Sequence, residues 1–220
     1  MTVSYTPPAH SEQLLVSFPA EHVLLLTMNR PKSRNAMTPQ MQKDLQNVLD
    51  WFSQEAGLWR RETVLWNKDQ QTGQRSEQER AVANVHGFGS ISQRQLTKPI
   101  IAAVNGGAHG GGTEIVLNCD IVVAGSDAKF ALPEVKRGVV AGAGGIPRLS
   151  QIAGHHLAAE MLLTGKVISA EDAHMRFGFV NAVVPPSEIL PEALRYAQLI
   201  VANSPMLFNV QNTVFSWLSN

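Results

Sequence analysis

The sequence has 220 residues, 44% hydrophobic and 16% charged, which is enough for one domain with a sizeable core or two small ones. Eighteen basic and eighteen acidic residues give a formal net charge of zero, so no overall positive field favours nucleic acid or an anionic membrane as a partner. The single cysteine, Cys119, excludes an internal disulfide and a zinc site built from several cysteines.

Targeting signals are not recognisable in this chain. No run approaches the roughly 18 apolar residues of a membrane-spanning helix. Residues 1–11 have no basic residue before an apolar run, and the last three residues are not the peroxisomal address. We therefore expect a soluble protein in the cytoplasm or in peroxisomes.

The first elements form a hairpin followed by a helix. Apolar strand formers occupy residues 14–18 and 23–28, with a short turn between them. Thr38 and Pro39 are a good N-cap and first-turn pair, and apolar residues recur at helical spacing after them. This spacing predicts a helix that runs from there to about Ala56.

The amino-acid composition changes twice in the middle of the chain. Residues 60–83 are rich in Gln, Glu, Arg and Lys, without the apolar periodicity that would specify a core strand. Residues 99–104 then predict a compact apolar strand that runs directly into a glycine-rich loop. A short helix at 113–118 and a second strand at 121–124 follow.

The last third continues this alternation. A helical region follows Gly145 and ends at Gly165, and a capping box at residues 169–172 starts another helix that should stop at Gly178. A strand at 179–184 comes next. Alternating strands and helices predict an α/β fold, and the sequence contains no internal repeat.

The glycine loop, Asn105 to Gly112, has five glycines within seven residues between a strand and a helix. Its backbone N–H groups could approach a negatively charged ligand, or the glycines could simply let the strand and helix pack closely. The dinucleotide pattern would need glycine at Ile115, and the P-loop would need lysine at Thr113. Both nucleotide motifs are therefore excluded.

Two glutamates lie in similar settings. Glu114 falls in the first turn of the helix after the loop, and Glu134 follows Pro133 at another helix start. If both reached one pocket, they would be hard to ionise together, and one would hold a proton while the other acted as a base. The alternative is that each is an ordinary partner of a helix dipole.

Other nucleophiles and ligands are weaker candidates. His109 has no second histidine at metal-ligand spacing, so a solvent-facing loop histidine is the simpler interpretation, and we expect no metal site. No G-x-S-x-G elbow occurs, and Cys119 ends an apolar helix as an inert thiol would.

The motifs in their order resemble the crotonase, or enoyl-CoA hydratase/isomerase, family. The resemblance covers most of the chain outside residues 57–98. It rests on the following segments: 28–31, 34–37, 99–106, 110–114, 119–121, 130–134, 142–145, 163–165 and 169–173. It implies a crotonase-like ββα superhelix, or spiral, as the core of the α/β fold.

The resemblance also implies roles for individual residues. Gly111 would supply one backbone N–H of an oxyanion hole, and Glu114 and Glu134 would be the catalytic pair of a hydratase. Substrate-binding positions would be Lys32, Ser33, Arg34, Asn35, Ala36 and Gly110. Coenzyme A would be part of the substrate, so no separate cofactor is expected, and relatives assemble as trimers or pairs of trimers.

The sequence departs from the family in two places. The segment that gives the second oxyanion donor is absent, which would put Arg61 at the donor position and Val64 at a lysine position. We expect one domain over residues 1–220, incomplete at about 57–66, where a core strand would be missing, and at the C-terminus. Two alternatives stay open: a double-bond isomerase, and a weakly catalytic acyl-CoA-binding or assembly subunit from a shortened isoform.

Overall fold

The structure, a computed structural model, describes residues 5–54, 63–68 and 85–203. Its strands form two sheets. In spatial order the first sheet contains β1 (Leu14–Ala20), β2 (Val23–Met28), β3 (Thr63–Lys68), β4 (Ile100–Val104), β6 (Ile121–Gly125) and β9 (Ala182–Val184). The second contains β5 (Gly107–His109), β7 (Lys129–Ala131) and β8 (Val167–Ser169).

The strand β3 corrects the sequence analysis. It lies at the centre of the first sheet, parallel to β2 on one side and to β4 on the other. The prediction that residues 60–83 contain no core strand is therefore wrong, because pairing with two neighbours can specify a strand whose local pattern is weak. Val64, expected at a lysine position, pairs with Leu24 and Ile100 within this strand, whereas Arg61 lies outside the described residues.

The helices agree with the sequence pattern except where glycine divides one of them. The region after Gly145 is two helices, because Gly154 adopts a φ of 77° and a ψ of 164° that only glycine tolerates well. The described α-helices are α1 (Pro39–Gln54), α2 (Gly111–Asn118), α3 (Gly145–Ala153), α4 (His155–Thr164), α5 (Ala170–Met175) and α6 (Ile189–Val201).

Local signals fix several of these boundaries as predicted. The hydroxyl of Thr38 accepts a hydrogen bond from Met41 N–H at 3.1 Å, which caps α1. The hydroxyl of Ser169 accepts one from Asp172 N–H at 3.0 Å, which caps α5. The last strand begins at Ala182 and not at Phe179, whose N–H instead bonds to the carbonyl of Ala173.

The first sheet is covered on both faces. Side chains from β4 alternate between two apolar clusters: Ile100, Ala102 and Val104 join the cluster that includes α1, while Ile101 and Ala103 join the cluster that includes α6. A central strand buried on both faces reads as a continuous apolar run, as 100–104 does. Within residues 5–54 and 85–203, no helix is long and apolar enough to span a bilayer.

The parallel strands β2, β3 and β4 present their carboxyl ends at one edge of the sheet. The turn that contains residues 29–36 leaves from this edge after β2, and the glycine loop leaves from it after β4. Ligands of parallel sheets bind at such an edge. The topology thus brings together the two segments that the sequence analysis selected for substrate binding. The expected shortening at the C-terminus stays a prediction.

Candidate active site

Glu114 is positioned by the turn that ends the glycine loop. Gly110 adopts a φ of 58° and a ψ of −128°, a conformation open to glycine and strained for other residues. This turn starts α2 at Gly111, and the carbonyl of Gly110 accepts the N–H of Glu114 at 3.1 Å. Glu114 therefore lies in the first helical turn, with only 4% of its surface exposed.

The backbone N–H of Gly111, at the start of α2, is the candidate donor to a ligand oxygen. The N–H of Gly110 is already used, because it donates to the carbonyl of Ala131 at 2.9 Å. Gly111 is the first residue of the helix, so its N–H has no partner within the helix. An N–H in this position, at the positive end of a helix dipole, can stabilise a negatively charged oxygen.

Glu134 reaches the same loop through strand pairing. The strands β5 and β7 run parallel with His109 opposite Ala131, so the residues after Ala131 run beside those after His109. Pro133 then starts a short 3-10 helix, in which Glu134 is 4% exposed. A Cβ atom placed on Gly110 would lie 2.9 Å from Oε1 of Glu134. The structure thus places the carboxyl group of Glu134 against Gly110, next to the helix start that carries Glu114.

The second glycine turn holds the carboxyl group of Glu114. The N–H of Gly145, the first residue of α3, donates to Oε1 of Glu114 at 3.0 Å. A Cβ atom on Gly145 would lie 3.0 Å from Cγ of Glu114, which leaves little room for any side chain there. By contrast, neither carboxyl oxygen of Glu134 has a hydrogen-bond partner among the described residues.

The electrostatics favour the neutral form of both carboxyl groups. The pKa of Glu114 is raised from its ordinary value of 4.5 to about 7, mainly by burial and also by the negative charge of Glu134. The N–H groups of Gly145 and Ala143 and the charge of Arg148 oppose this rise. Burial also raises the pKa of Glu134. Because the two groups repel each other when both are ionised, ionisation of one disfavours ionisation of the other.

The chemistry open to this pair is proton transfer. One carboxylate can accept a proton from a water molecule or a carbon acid while the other carboxyl group donates one. Buried carboxyl groups with raised pKa values are typical of such acid–base sites. The acid–base interpretation of the two glutamates is therefore favoured over the alternative that each serves only a helix dipole.

The expected substrate turn after β2 is present as a compact loop. Lys32, Ser33 and Arg34 have exposed side chains, as residues that contact a soluble ligand group would. Asn35 is buried, and its side-chain oxygen accepts the N–H of Arg30, so its side chain holds the turn together. Ala36 is half-buried at the end of the turn.

The other candidate residues from the sequence were His109 and Cys119. His109 is the last residue of β5 and is half-buried with Nε2 enclosed, so the interpretation as a solvent-facing loop histidine is wrong. Burial raises the pKa of the Cys119 thiol, which donates to the carbonyl of Ile115 at 3.3 Å and stays protonated. In the part of the chain that the structure describes, no group of three or more acidic, histidine or cysteine side chains could hold a metal ion.

One segment that packs against the start of α2 was not recognisable as part of the site from the sequence. Residues 57–98 gave no family motif, yet Phe88 in this stretch packs its ring against Gly111. A Cβ atom on Gly111 would lie 2.5 Å from Cγ of that ring. The available signal was Gly87-Phe88-Gly89, in which both glycines adopt a positive φ and surround one buried aromatic residue.

Comparison with known proteins agrees with this geometry. The family model for Enoyl-CoA hydratase/isomerase matches residues 67–216. The Mevalonyl-coenzyme A hydratase of Aspergillus fumigatus is 40% identical over 204 residues, which cover 87% of this chain and 73% of that protein. The Short-chain-enoyl-CoA hydratase of Clostridium acetobutylicum is 36% identical over 195 residues, which cover 84% of this chain and 74% of that protein.

Solved structures agree as well. The crystal structure of an enoyl-CoA hydratase from Mycobacterium tuberculosis superposes with a TM-score of 0.84 at 34% identity. The superposition covers 94% of this chain and 82% of that one. This confirms the α/β crotonase fold that the sequence motifs predicted. The chain therefore belongs to the enoyl-CoA hydratase/isomerase family of enzymes.

Proposed function

We propose that this chain adds water across the α,β double bond of a 2-enoyl-CoA thioester, with Glu114 and Glu134 as its acid–base pair. The observation that carries the proposal is the burial of both carboxyl groups beside the start of α2, where the N–H of Gly111 lies. Glu134 lies against Gly110, and its negative charge acts on Glu114. Relatives that are 35% to 40% identical and are named as hydratases support water addition.

The proton balance of the proposed reaction needs one ionised and one protonated carboxyl group. The carboxylate takes a proton from water as the water oxygen forms a bond to the β carbon. The electrons of the double bond then shift toward the α carbon and the thioester oxygen. The protonated carboxyl group gives its proton to the α carbon, so one water is added and the pair ends with one proton.

The role proposed for Gly111 is to hold the thioester oxygen while negative charge develops on it. An aligned backbone donor of this kind typically lowers the barrier by about 3 kcal/mol. The donor must point at the oxygen of the enolate-like state, and a rigid helix N-terminus does this without reorganisation. The position that the resemblance assigns to the second donor, Arg61, lies outside the described residues.

The relatives differ in the acyl group that their names give to the substrate. Two relatives at 40% identity are named as mevalonyl-CoA hydratases, whereas others are named for short-chain or dehydroadipyl substrates. We propose a 2-enoyl-CoA thioester as the substrate class, with the dehydrated form of mevalonyl-CoA and crotonyl-CoA as the first two to compare. The exposed turn Lys32–Ala36 would contact the coenzyme A portion.

Two other functions of the same fold remain as rivals. A double-bond isomerase needs one carboxyl group to move a proton between two carbons, so Glu134 would be dispensable. A weakly catalytic acyl-CoA-binding subunit would need neither. The burial of Glu134 favours the hydratase, because a carboxyl group without a role in proton transfer is costly to bury when no described residue donates a hydrogen bond to it.

Self-association into a trimer or hexamer is proposed on the distribution of apolar surface. Large exposed apolar side chains are concentrated after Glu134, and such surface is more often buried against a partner. They are Val135, Val140, Ile146, Ile152, Leu163, Val167, Met175 and Leu199. Light scattering at micromolar concentration should give a mass well above the 23.9 kDa of one chain, and a stable monomer would contradict the proposal.

The expected lack of a separate cofactor and the expected cellular location both stay predictions. The proposed reaction moves protons and water only, so the chain should be active without a metal ion or an added cofactor, and dialysis against a chelator should leave activity unchanged. A cytoplasmic or peroxisomal location would be tested by fluorescence microscopy of the tagged chain.

The experiment that tests the proposed function is incubation of the purified chain with each 2-enoyl-CoA, followed by mass analysis of the product. Hydration adds one water, and isomerisation of a matched 3-enoyl-CoA leaves the mass unchanged. Conversion to the 3-hydroxyacyl-CoA supports the proposal. Isomerisation without hydration would select the isomerase, and tight binding without conversion would select the binding subunit.

A further inference from the structure

A short turn, residues 87–93, lies between the two glycine turns of the active site. It contains a 3-10 helix at Phe88–Ser90 and, two residues after that helix, Ser92, which is fully buried. The hydroxyl of Ser92 accepts the N–H of Phe88 at 2.8 Å and donates to the carbonyl of Ala143 at 2.6 Å. One hydroxyl group thus joins two segments that are far apart in sequence.

On one side, this hydroxyl group holds the residue that packs on the proposed oxyanion donor. The ring of Phe88 lies so close to Gly111 that a Cβ atom there would come within 2.5 Å of it. The ring therefore fixes the position of Gly111, the first residue of α2. A shift of Phe88 would change the space available to the oxygen that the Gly111 N–H is proposed to bind.

On the other side, the same hydroxyl group holds the turn that contacts Glu114. The N–H of Gly145 donates to the carboxyl group of Glu114 at 3.0 Å, and the N–H of Ala143 in the same turn lowers the pKa of that group. A second contact supports this turn, because the side-chain amide of Gln93 donates to the carbonyl of Gly142 at 3.3 Å. The peptide planes that bind Glu114 are therefore anchored by residues of the 87–93 turn.

We propose that Ser92 is a positioning residue that holds the Ala143–Gly145 turn, and through it the carboxyl group of Glu114, in the geometry that proton transfer requires. The proposal rests on the proposed function of Glu114. It gives a task to a segment in which the sequence carries no family motif. It also predicts that the loss of one hydroxyl group outside substrate contact will change the chemistry at Glu114.

A purely structural role for Ser92 is the alternative, and the two roles differ in one observable. The Ala143 and Gly145 N–H groups lower the pKa of Glu114, while burial and Glu134 raise it and Arg148 lowers it. If Ser92 positions this turn, its removal weakens the N–H contacts and raises the pKa of Glu114. If Ser92 only fills space, the free energy of unfolding falls but the pKa of Glu114 does not move.

The experiment compares Ser92→Ala with Ser90→Ala. Ser90 is also fully buried in the same turn, but its hydroxyl group donates at 3.4 Å to the carbonyl of Gln42 in α1. Glutamate labelled with ¹³C at the side-chain carboxyl carbon is titrated by NMR in each protein. The Glu114 signal is identified by its loss in Glu114→Gln. Hydration rates are measured in parallel.

Ser92→Ala should raise the apparent pKa of Glu114 and lower kcat by about 10-fold or more, with a smaller effect on KM. Ser90→Ala should lower the melting temperature but leave the titration and kcat close to wild type. Ser92→Cys keeps the side-chain size with a weaker donor, and it should fall between wild type and Ser92→Ala. It also provides the test if Ser92→Ala does not fold.

Two outcomes would overturn the proposal. The first is an unchanged Glu114 titration in both Ser92 variants, and the second is a raised pKa with an unchanged kcat. Failure of the proposed function is separate, because it appears as absence of hydration by the wild-type protein. In that case the titration still decides whether Ser92 positions Glu114.

Discussion

Oε1 of Glu134 lies 2.9 Å from the point where a Cβ atom would stand on Gly110. This proximity follows from the parallel pairing of β5 with β7, which sets His109 opposite Ala131 and lets the next residues of both strands meet. Gly110 therefore has two reasons to be glycine. Its backbone conformation disfavours a side chain, and the carboxyl group of Glu134 occupies the space.

Gly110→Ala separates these two reasons when it is compared with Gly154→Ala. Both glycines have a positive φ outside the region that alanine tolerates, so each change should destabilise the fold by about 1–3 kcal/mol. Only Gly110→Ala also displaces a carboxyl group, because a Cβ atom on Gly154 meets nothing within 4 Å. Hydration assays on folded protein should therefore show a loss of kcat for Gly110→Ala alone. Equal kcat values in the two variants would contradict the position assigned to Glu134.

The raised pKa of Glu114 predicts a pH-dependent stability. Its pKa is about 7 in the folded chain against an ordinary value of 4.5, so the folded state holds the proton more tightly. This stabilises the fold fully below about pH 4.5 and is lost as the pH rises through about 7. The total effect is about 3 kcal/mol.

Urea unfolding of wild type and Glu114→Gln between about pH 5 and pH 8 measures this effect. The free energy of unfolding of wild type should fall with rising pH relative to that of the variant, in which position 114 does not titrate. Subtracting the two curves removes the contributions that both proteins share. Parallel curves would mean that Glu114 is not buried as the structure has it.

Binding of the coenzyme A portion predicts selective protection from heat. A 2-enoyl-CoA thioester at roughly 100 times its Kd should add about 3 kcal/mol to the stability of the folded chain, whereas the free fatty acid should add much less. Lys32→Ala and Arg34→Ala should reduce this protection, because both side chains are exposed in the expected substrate turn. Arg195→Ala is the control, since Arg195 is an exposed residue of α6, which covers the face of the first sheet opposite to α1. Equal protection by thioester and free acid would contradict coenzyme A recognition.

Local sequence signals predicted those parts of the fold that depend on neighbours in the chain. The β1–β2 hairpin, the N-cap at Thr38 and the helix after it all follow from patterns within a few residues. The strand β3 did not, because its place in the sheet depends on pairing with β2 and β4 on either side. Non-local pairing leaves little trace in a short window of sequence.

The same division applies to the site. The glycine loop and the two glutamates were recognisable, since a carboxyl group directly behind a helix start is a local feature. The approach of Glu134 to Gly110 depends on the register of β5 and β7, and the contact of Gly145 with Glu114 depends on helix packing. Ser92 was missed for this reason, because its two partners, Phe88 and Ala143, become neighbours only in the folded chain.

Replacing each glutamate by glutamine tests the acid–base pair. Glu114→Gln and Glu134→Gln keep size and hydrogen-bonding capacity while removing proton transfer, so each should lower kcat by about 10²–10⁴-fold. Ligand binding, measured by thermal shift, should change much less. The double variant should lose less than the product of the two single losses, because groups that act on one water behave as a unit.

The rate of hydration of one 2-enoyl-CoA by wild type, both single variants and the double variant decides whether the two glutamates act as a pair. We expect a measurable wild-type rate, a large loss in each single variant, and a double variant that is little worse than the poorer single one. Full hydration by Glu134→Gln, with loss of double-bond migration in Glu114→Gln, would contradict the pair and select the one-carboxylate isomerase.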